Sequence, residues 1–318
     1  MHALSGMIIE REAKRMQIRT DLAMESVGPD GARGKTKIPG VKVSIWEEGG
    51  ITVTEVVVDE EAGVRITGKP MGRYVTLECG AVKTGSPDVR RAVSSLLAEE
   101  LMRMLPEGDA PVMVVGLGNR QVTPDALGPM TVDRTLVTRH IFQELPDSVD
   151  DRMRPVCAIA PGVLGVTGIE TLEMVSALAD RVRPRAVVAI DSLAAREVGR
   201  VGTAIQLTDT GIQPGSGVGN HRRALDRGAV GAPVIAVGVP TVIYAATIVR
   251  DALGKLGGAE EDVERLTDEM LRNATGDMIV TPREVDDLVE DVAGIVALGI
   301  NQALHPGLSE SEIATMMP

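Results

Sequence analysis

The 318-residue sequence predicts an α/β fold: a three-layer sandwich around a mostly parallel sheet, with a β-rich segment before it and a helical tail after it. Three observations carry this expectation. Short, almost wholly apolar runs at 112–115, 156–160, 186–190, 204–207 and 234–237 have the continuous character of strands covered on both faces. Between them lie stretches whose apolar residues recur at helical spacing, the alternation of an α/β layer structure. Hydrophobic residues make up 44% of the chain, enough to bury a large core.

The elements follow in chain order. The first twenty residues, with Arg11, Lys14, Arg15 and Arg19, are charged and lack strand alternation, so they read as a leader. Four β-rich runs at 41–46, 51–58, 64–67 and 74–79, separated by glycine turns, predict a meander. After Asp88, the residues Val93, Leu96, Leu97, Leu101 and Met104 recur at helical spacing. Further helices are expected over 134–144, 170–183 and 242–256. The tail from 260 is helical in pattern with a break near 275–282.

Composition narrows the function. Aromatics are 1% of the chain, so the core must be built from Val, Ile, Leu, Ala and Met, and base stacking on aromatic platforms is disfavoured. A formal net charge of -12 disfavours attraction to nucleic acid phosphates. Cys79 and Cys157 are too few for a disulfide framework or a Cys-rich zinc site and suit a reducing compartment. No apolar run approaches the roughly 18 residues of a membrane span, and residues 1–20 lack an apolar signal core. The expectation is a cytoplasmic protein with no membrane or direct nucleic acid partner.

The segment Gly116-Leu117-Gly118-Asn119 leaves the run 112–115, and Asp125 follows at once. Loops beyond the carboxyl ends of strands in open α/β sheets are where ligands bind. Asp191 ends the run 186–190 and would stand on the same rim. Two carboxylates held together share a proton, so one can activate water while the other protonates an amide leaving group. The same spacing also allows Asp125 to cap a helix and Asp191 to close a turn.

Other patterns are weaker. The glycine-rich stretches 161–168 and 214–220 fit no phosphate motif, because Gln121 stands where the third glycine of a dinucleotide fingerprint would fall. Tight turns explain these glycines more simply. Ser216 breaks the nucleophile-elbow spacing and reads as a loop residue. His2, His140, His221 and His305 are dispersed, so no metal site or cofactor is expected. Thr20-Asp21-Leu22-Ala23-Met24-Glu25 is either an exposed polar turn or a cleavage sequence.

At these residues the chain resembles the germination proteases of spore-forming bacteria over almost its full length. The matching stretches are 19–25, 114–129, 160–171, 190–196, 206–222, 236–242, 278–286 and 303–306. The resemblance implies an endopeptidase made as a self-processing zymogen. Its substrates and partners would be small acid-soluble spore proteins, its location the spore core, and its assembly a homotetramer. The family cuts after an acidic residue, before a hydrophobic residue followed by alanine, and Asp21-Leu22-Ala23 meets that description. Cleavage at Asp21 and Leu22 is then expected, with 1–21 as propeptide. One catalytic domain would span 22–318, divided into a β-rich segment 22–85, an α/β core 86–256 and a helical tail 257–318. The family's farther acidic preference falls on Ile18 and is not met.

The same loop, with Asp125 six positions beyond Asn119, is similar to hydrogenase maturation proteases, whose acidic nickel ligand sits at that offset, and Asp191 matches a second ligand. This similarity implies a hydrogenase-maturation-protease-like fold, whereas the resemblance to germination proteases implies Asp125 and Asp191 as a catalytic pair without an obligatory metal. The loops bearing Gly118, Asn119, Gly165, Thr167, Gly215, Ser216 and Gly217 would shape the substrate cleft. The chain departs from the family at Tyr244, where an aspartate usually follows this valine-rich stretch. Two other functions fit the same residues: a metal-dependent maturation-type protease, and a noncatalytic binder of spore proteins.

Overall fold

The computed structural model describes residues 20–28, 37–213, 223–255, 263, 266 and 278–317. Among them one nine-stranded sheet organises the chain. Its strands are β1 (Val41–Glu48), β2 (Ile51–Val58), β3 (Gly72–Glu78), β4 (Val112–Gly116), β5 (Val156–Ile159), β6 (Ala186–Ala195), β7 (Ala204–Thr208), β8 (Val234–Tyr244) and β9 (Ile279–Val280). The order is β1-β2-β3-β7-β8-β6-β4-β5, with β9 against the end of β8.

The sheet is mixed, which corrects the expectation of a mostly parallel one. β5, β4, β6 and β8 run parallel, whereas β1, β2, β3 and β7 are joined antiparallel to one another and to β8. The β-rich segment is therefore continuous with the core sheet through the pairing of β3 with β7. Apolar runs alone do not show this, because a buried strand reads the same whichever way its neighbour runs.

The helices are α1 (Ala23–Ser26), α2 (Glu61–Thr67), α3 (Pro87–Met104), α4 (Leu127–Asp133), α5 (Arg139–Glu144), α6 (Leu164–Thr167), α7 (Thr171–Val182), α8 (Arg227–Val230), α9 (Ala245–Lys255), α10 (Val285–Leu304) and α11 (Glu310–Met316). Three differ from expectation. Residues 64–67 lie in α2 rather than in a strand, ended by Gly68 at a φ of 68°. Their β-branched side chains mimic strand composition over too few residues to reveal a period. The stretch 134–144 is helical only from Arg139, because α4 stops at Asp133. The expected helix at 242 starts at Ala245, since β8 runs on to Tyr244.

Helices cover both faces. Leu97, Leu101 and Val93 of α3 and Val292, Val296 and Ile300 of α10 pack with Val112, Val114, Val188 and Ile190 on one face. Val175 and Ala179 of α7 pack with Met113, Val115, Val187 and Ala189 on the other. Each fully buried Leu or Ile contributes about 1.5–3 kcal/mol. All of β8 is buried, as a central strand between two layers requires. α3 begins with Pro87 at a position whose N–H has no helical partner, and it stops where Leu105 turns extended before Pro106.

The end of α10 is tied to β5 by His305, which is fully buried. The Arg154 N–H donates to its Nδ1 at 3.2 Å, and its Nε2 lies 3.3 Å from the Leu136 carbonyl. An accepting Nδ1 requires the neutral ring, and burial pushes the His305 pKa below its usual 6.5. The folded chain thus binds fewer protons here than the unfolded chain. The stabilisation is full above about pH 6.5 and shrinks as pH falls toward the lowered folded value. Chemical denaturation at pH 7.5 and 5.5 should show the wild type losing on the order of 1 kcal/mol more than His305→Asn across that interval.

Candidate active site

β4 ends at Gly116, where a Cβ would lie 2.2 Å from the Gly128 carbonyl oxygen, so α4 packs directly against the strand end. The next residue adds one more rung, its Leu117 N–H donating to the Ile190 carbonyl at 2.8 Å. The chain then turns back at Gly118, whose φ of 107° suits glycine alone. A Cβ there would stand 2.0 Å from the Asp125 carbonyl oxygen.

This turn brings Asp125 onto the strand end. The Asn119 N–H donates to both the Asp125 carbonyl at 3.0 Å and its Oδ2 at 2.8 Å. The preceding Pro124 carbonyl accepts from the Thr241 hydroxyl at 2.6 Å. Thr241 is available because Pro240 has no N–H to give the ladder: the register steps from Leu193 opposite Pro240 to Ala194 opposite Val242, leaving Thr241 as the bulged residue.

Asp191 follows Ile190 directly and is 5% exposed. Its Oδ1 accepts from the Ser192 N–H at 2.9 Å, and Gly238 is its partner on β8. The rung from Leu117 to Ile190 thus precedes the turn that carries Asp125 on one chain segment and Asp191 on the other. Neither acid plays the role the spacing also allowed. Asp191 stands inside β6, which continues to Ala195, and the residue capping α4 is Ala126, without a side-chain bond.

Of the expected cleft loops, Gly118 and Asn119 shape the Asp125 turn. Gly165 and Thr167 lie exposed in α6 beyond β5, on the rim shared with β4. Thr167 Oγ1 is 3.2 Å from the Val163 carbonyl and 3.0 Å from that of Ile169. Gly215, Ser216 and Gly217 lie outside the described residues, as do residues 1–19. Among the described residues no three His, Cys, Asp or Glu side chains gather where they could hold a metal ion.

Residues 22–25 are buried and Thr20 and Asp21 half-buried, so the segment is not an exposed turn. Leu22 and Ala23 are fully covered and pack with Val56, Val58, Tyr74 and Leu193. The Asp21 N–H donates to the Ala194 carbonyl at 3.0 Å, and its Oδ2 accepts from the Ala194 N–H at 2.8 Å. The Asp21 carbonyl accepts from Lys69 Nζ at 2.9 Å and Gln206 Nε2 at 3.1 Å. The Thr20 hydroxyl donates to Glu25 and accepts from the Leu22 N–H at 3.1 Å. A cavity of about 710 Å³ opens beside Asp21, lined in part by Lys69, Leu193, Gln206 and Gly238.

Charge anchors both ends of the segment. Glu25 is 6% exposed and accepts from Arg196 N–H at 2.7 Å, Glu197 N–H at 3.0 Å and Arg200 Nη1 at 2.9 Å. Burial opposes the Arg200 charge, but Glu78 and Glu25 outweigh it and raise its pKa above the usual value. Burial lowers the Lys69 pKa, with Asp21 and Glu25 pushing the other way. Sequence reasoning missed Lys69, Gln206 and Arg200. Only Gln206 left a signal, a polar residue inside the apolar run 204–207.

Comparison with known proteins makes this chain a peptidase. The chain belongs to the germination protease family, whose model matches residues 16–257 and 252–316. It is 42% identical to the germination protease of Clostridium perfringens over 93% of this chain and 98% of that one. The Clostridium tetani protein of the same name is 39% identical over 94% and 98%. That of Bacillus subtilis is 38% identical over 95% and 97%.

The turn that carries Asp125 tolerates no Cβ at position 118. Gly118→Ala should displace Asp125 and cost on the order of 1–3 kcal/mol. Thermal melting would show the loss, and peptide hydrolysis should fall in the same variant.

Proposed function

We propose that this peptidase is made as a zymogen that removes residues 1–21 by cutting its own Asp21–Leu22 bond. The matured enzyme then begins the degradation of small acid-soluble spore proteins in the germinating spore core, cutting after Glu or Asp before a hydrophobic residue followed by Ala. The observation that carries the catalytic part is the Asp125 turn, folded by Gly118 and Asn119 onto the strand end beside Asp191. In this reading one carboxylate takes a proton from a water that attacks the carbonyl carbon, and the other protonates the departing amide nitrogen. The names of the relatives support the setting in spores.

The rest of the reading follows the family resemblance. The domain 22–318 has the architecture of the hydrogenase maturation proteases, assembles as a homotetramer, and works in the cytoplasm of the spore. The loops bearing Gly165, Thr167 and residues 215–217 shape the substrate cleft, positioning the substrate chain through backbone groups.

Intact mass of the purified protein, held at mildly acidic and at neutral pH, tests both claims together. Wild type should lose residues 1–21, while Asp125→Asn and Asp191→Asn should process roughly 100-fold more slowly or not at all. Processing that survives either substitution removes that acid from the mechanism. A wild type that stays full length under every condition removes self-processing.

A further inference from the structure

We propose that Lys69 and Gln206 are the oxyanion donors for the cut of the Asp21–Leu22 bond, a role resting on that bond being hydrolysed at Asp125 and Asp191. Two donors from separate elements converge on one carbonyl oxygen, Lys69 Nζ at 2.9 Å and Gln206 Nε2 at 3.1 Å. Measured to the resting carbonyl, these distances put both donors within reach of the oxygen on which charge develops when the carbonyl carbon is attacked. The Gln206 amide cannot swing away, because its Oε1 is held by the Ala23 N–H at 2.7 Å. It therefore grips the chain on both sides of the bond. Lys69 is steadied by the Thr20 carbonyl at 3.1 Å.

Sheet register places the donors with the acids. Gln206 pairs with Gly238, and Gly238 pairs with Asp191, so the three share one row of the sheet. Residues on one row send their side chains to the same face, and two strand spacings are about 10 Å. Gly238 between them leaves its space to the Leu193 side chain, which a Cβ at 238 would meet at 2.5 Å and which also packs with Leu22.

The step balances without any added reactant. Water adds its oxygen to the Asp21 carbonyl carbon and gives a proton to the carboxylate pair. The carbonyl π electrons move onto the oxygen held by Lys69 and Gln206. When the C–N bond breaks, its electron pair stays on the Leu22 nitrogen, which takes a proton from the pair. The products are a carboxyl group on Asp21 and an amine on Leu22, with nothing oxidised or reduced.

The test follows loss of residues 1–21 by intact mass in the full-length protein, wild type against Lys69→Met, Lys69→Arg and Gln206→Met. Removing one such donor slows a cut by about 10²–10³-fold. Lys69→Met and Gln206→Met should fall by that much, and Lys69→Arg, which still offers a charged donor, should keep most of the rate. A second readout, digestion by an added protease specific for Asp and Glu, reports whether Asp21 stays docked. Slow self-processing with Asp21 still resistant to that protease supports the donors. Wild-type or faster processing in Lys69→Met overturns the proposal, and so does Lys69→Met that is slow because Asp21 has become freely digestible, which would make Lys69 an anchor only. A wild type that keeps residues 1–21, or one still processed in Asp125→Asn and Asp191→Asn, fails at the underlying reading, and the donors' role goes with it.

Discussion

The carboxyl rim of this sheet depends on β4 stopping short of β6 and β8. β4 stops at Gly116, while β6 beside it continues to Ala195 and β8 to Tyr244. β4 stops where it does because α4 approaches so closely that glycine is needed at both 116 and 128. The chain leaving β4 has space for one more rung to β6 and must then reverse, which only the φ at Gly118 permits. Asp125 comes to the strand end through that reversal, and Asp191 reaches it by simple continuation of β6. The last residues of β6, beyond the reach of β4, are where Asp21 forms its two bonds to Ala194.

Holding a charged segment inside a fold demands partners for every polar atom, since an unpaired buried group costs about 1–3 kcal/mol and a charge more. The segment 20–25 meets this demand almost wholly through side chains and loops of distant parts of the chain. Lys69 lies after α2, Gln206 on β7, and Arg196 and Arg200 in the connection from β6 to β7. Glu25 is the most heavily bound of them, with two backbone N–H donors and a guanidinium that also serves Glu78. Docking of the segment is thereby coupled to the stretch that follows Asp191 on the same strand.

Tyr244 falls close to this anchor. Tyr244 is 6% exposed and packs with Ala194 and Val242 at the end of β8. The phenol ring there covers apolar surface next to Ala194, the residue that holds Asp21.

By itself the sequence determined the α/β class, the apolar runs that became β4 to β8, and the helices α3 and α7, and it singled out the acids that follow two of those runs. These are local: burial of a strand on both faces, helical spacing of apolar residues, and an acid directly after an apolar run are all visible within a dozen residues. The direction of the β-rich segment, the short helix at 61–67 and the bulge at Thr241 were not legible: the first is set by pairing of β3 with the distant β7, the last by register against β6, and residues 64–67 are too few to reveal a period. Only the tertiary structure decided that Asp125 turns back onto the strand next to Asp191, and that Asp21 meets Lys69 and Gln206. Those contacts exist because strands distant in sequence become neighbours about 4.8 Å apart, and no local pattern encodes that closeness.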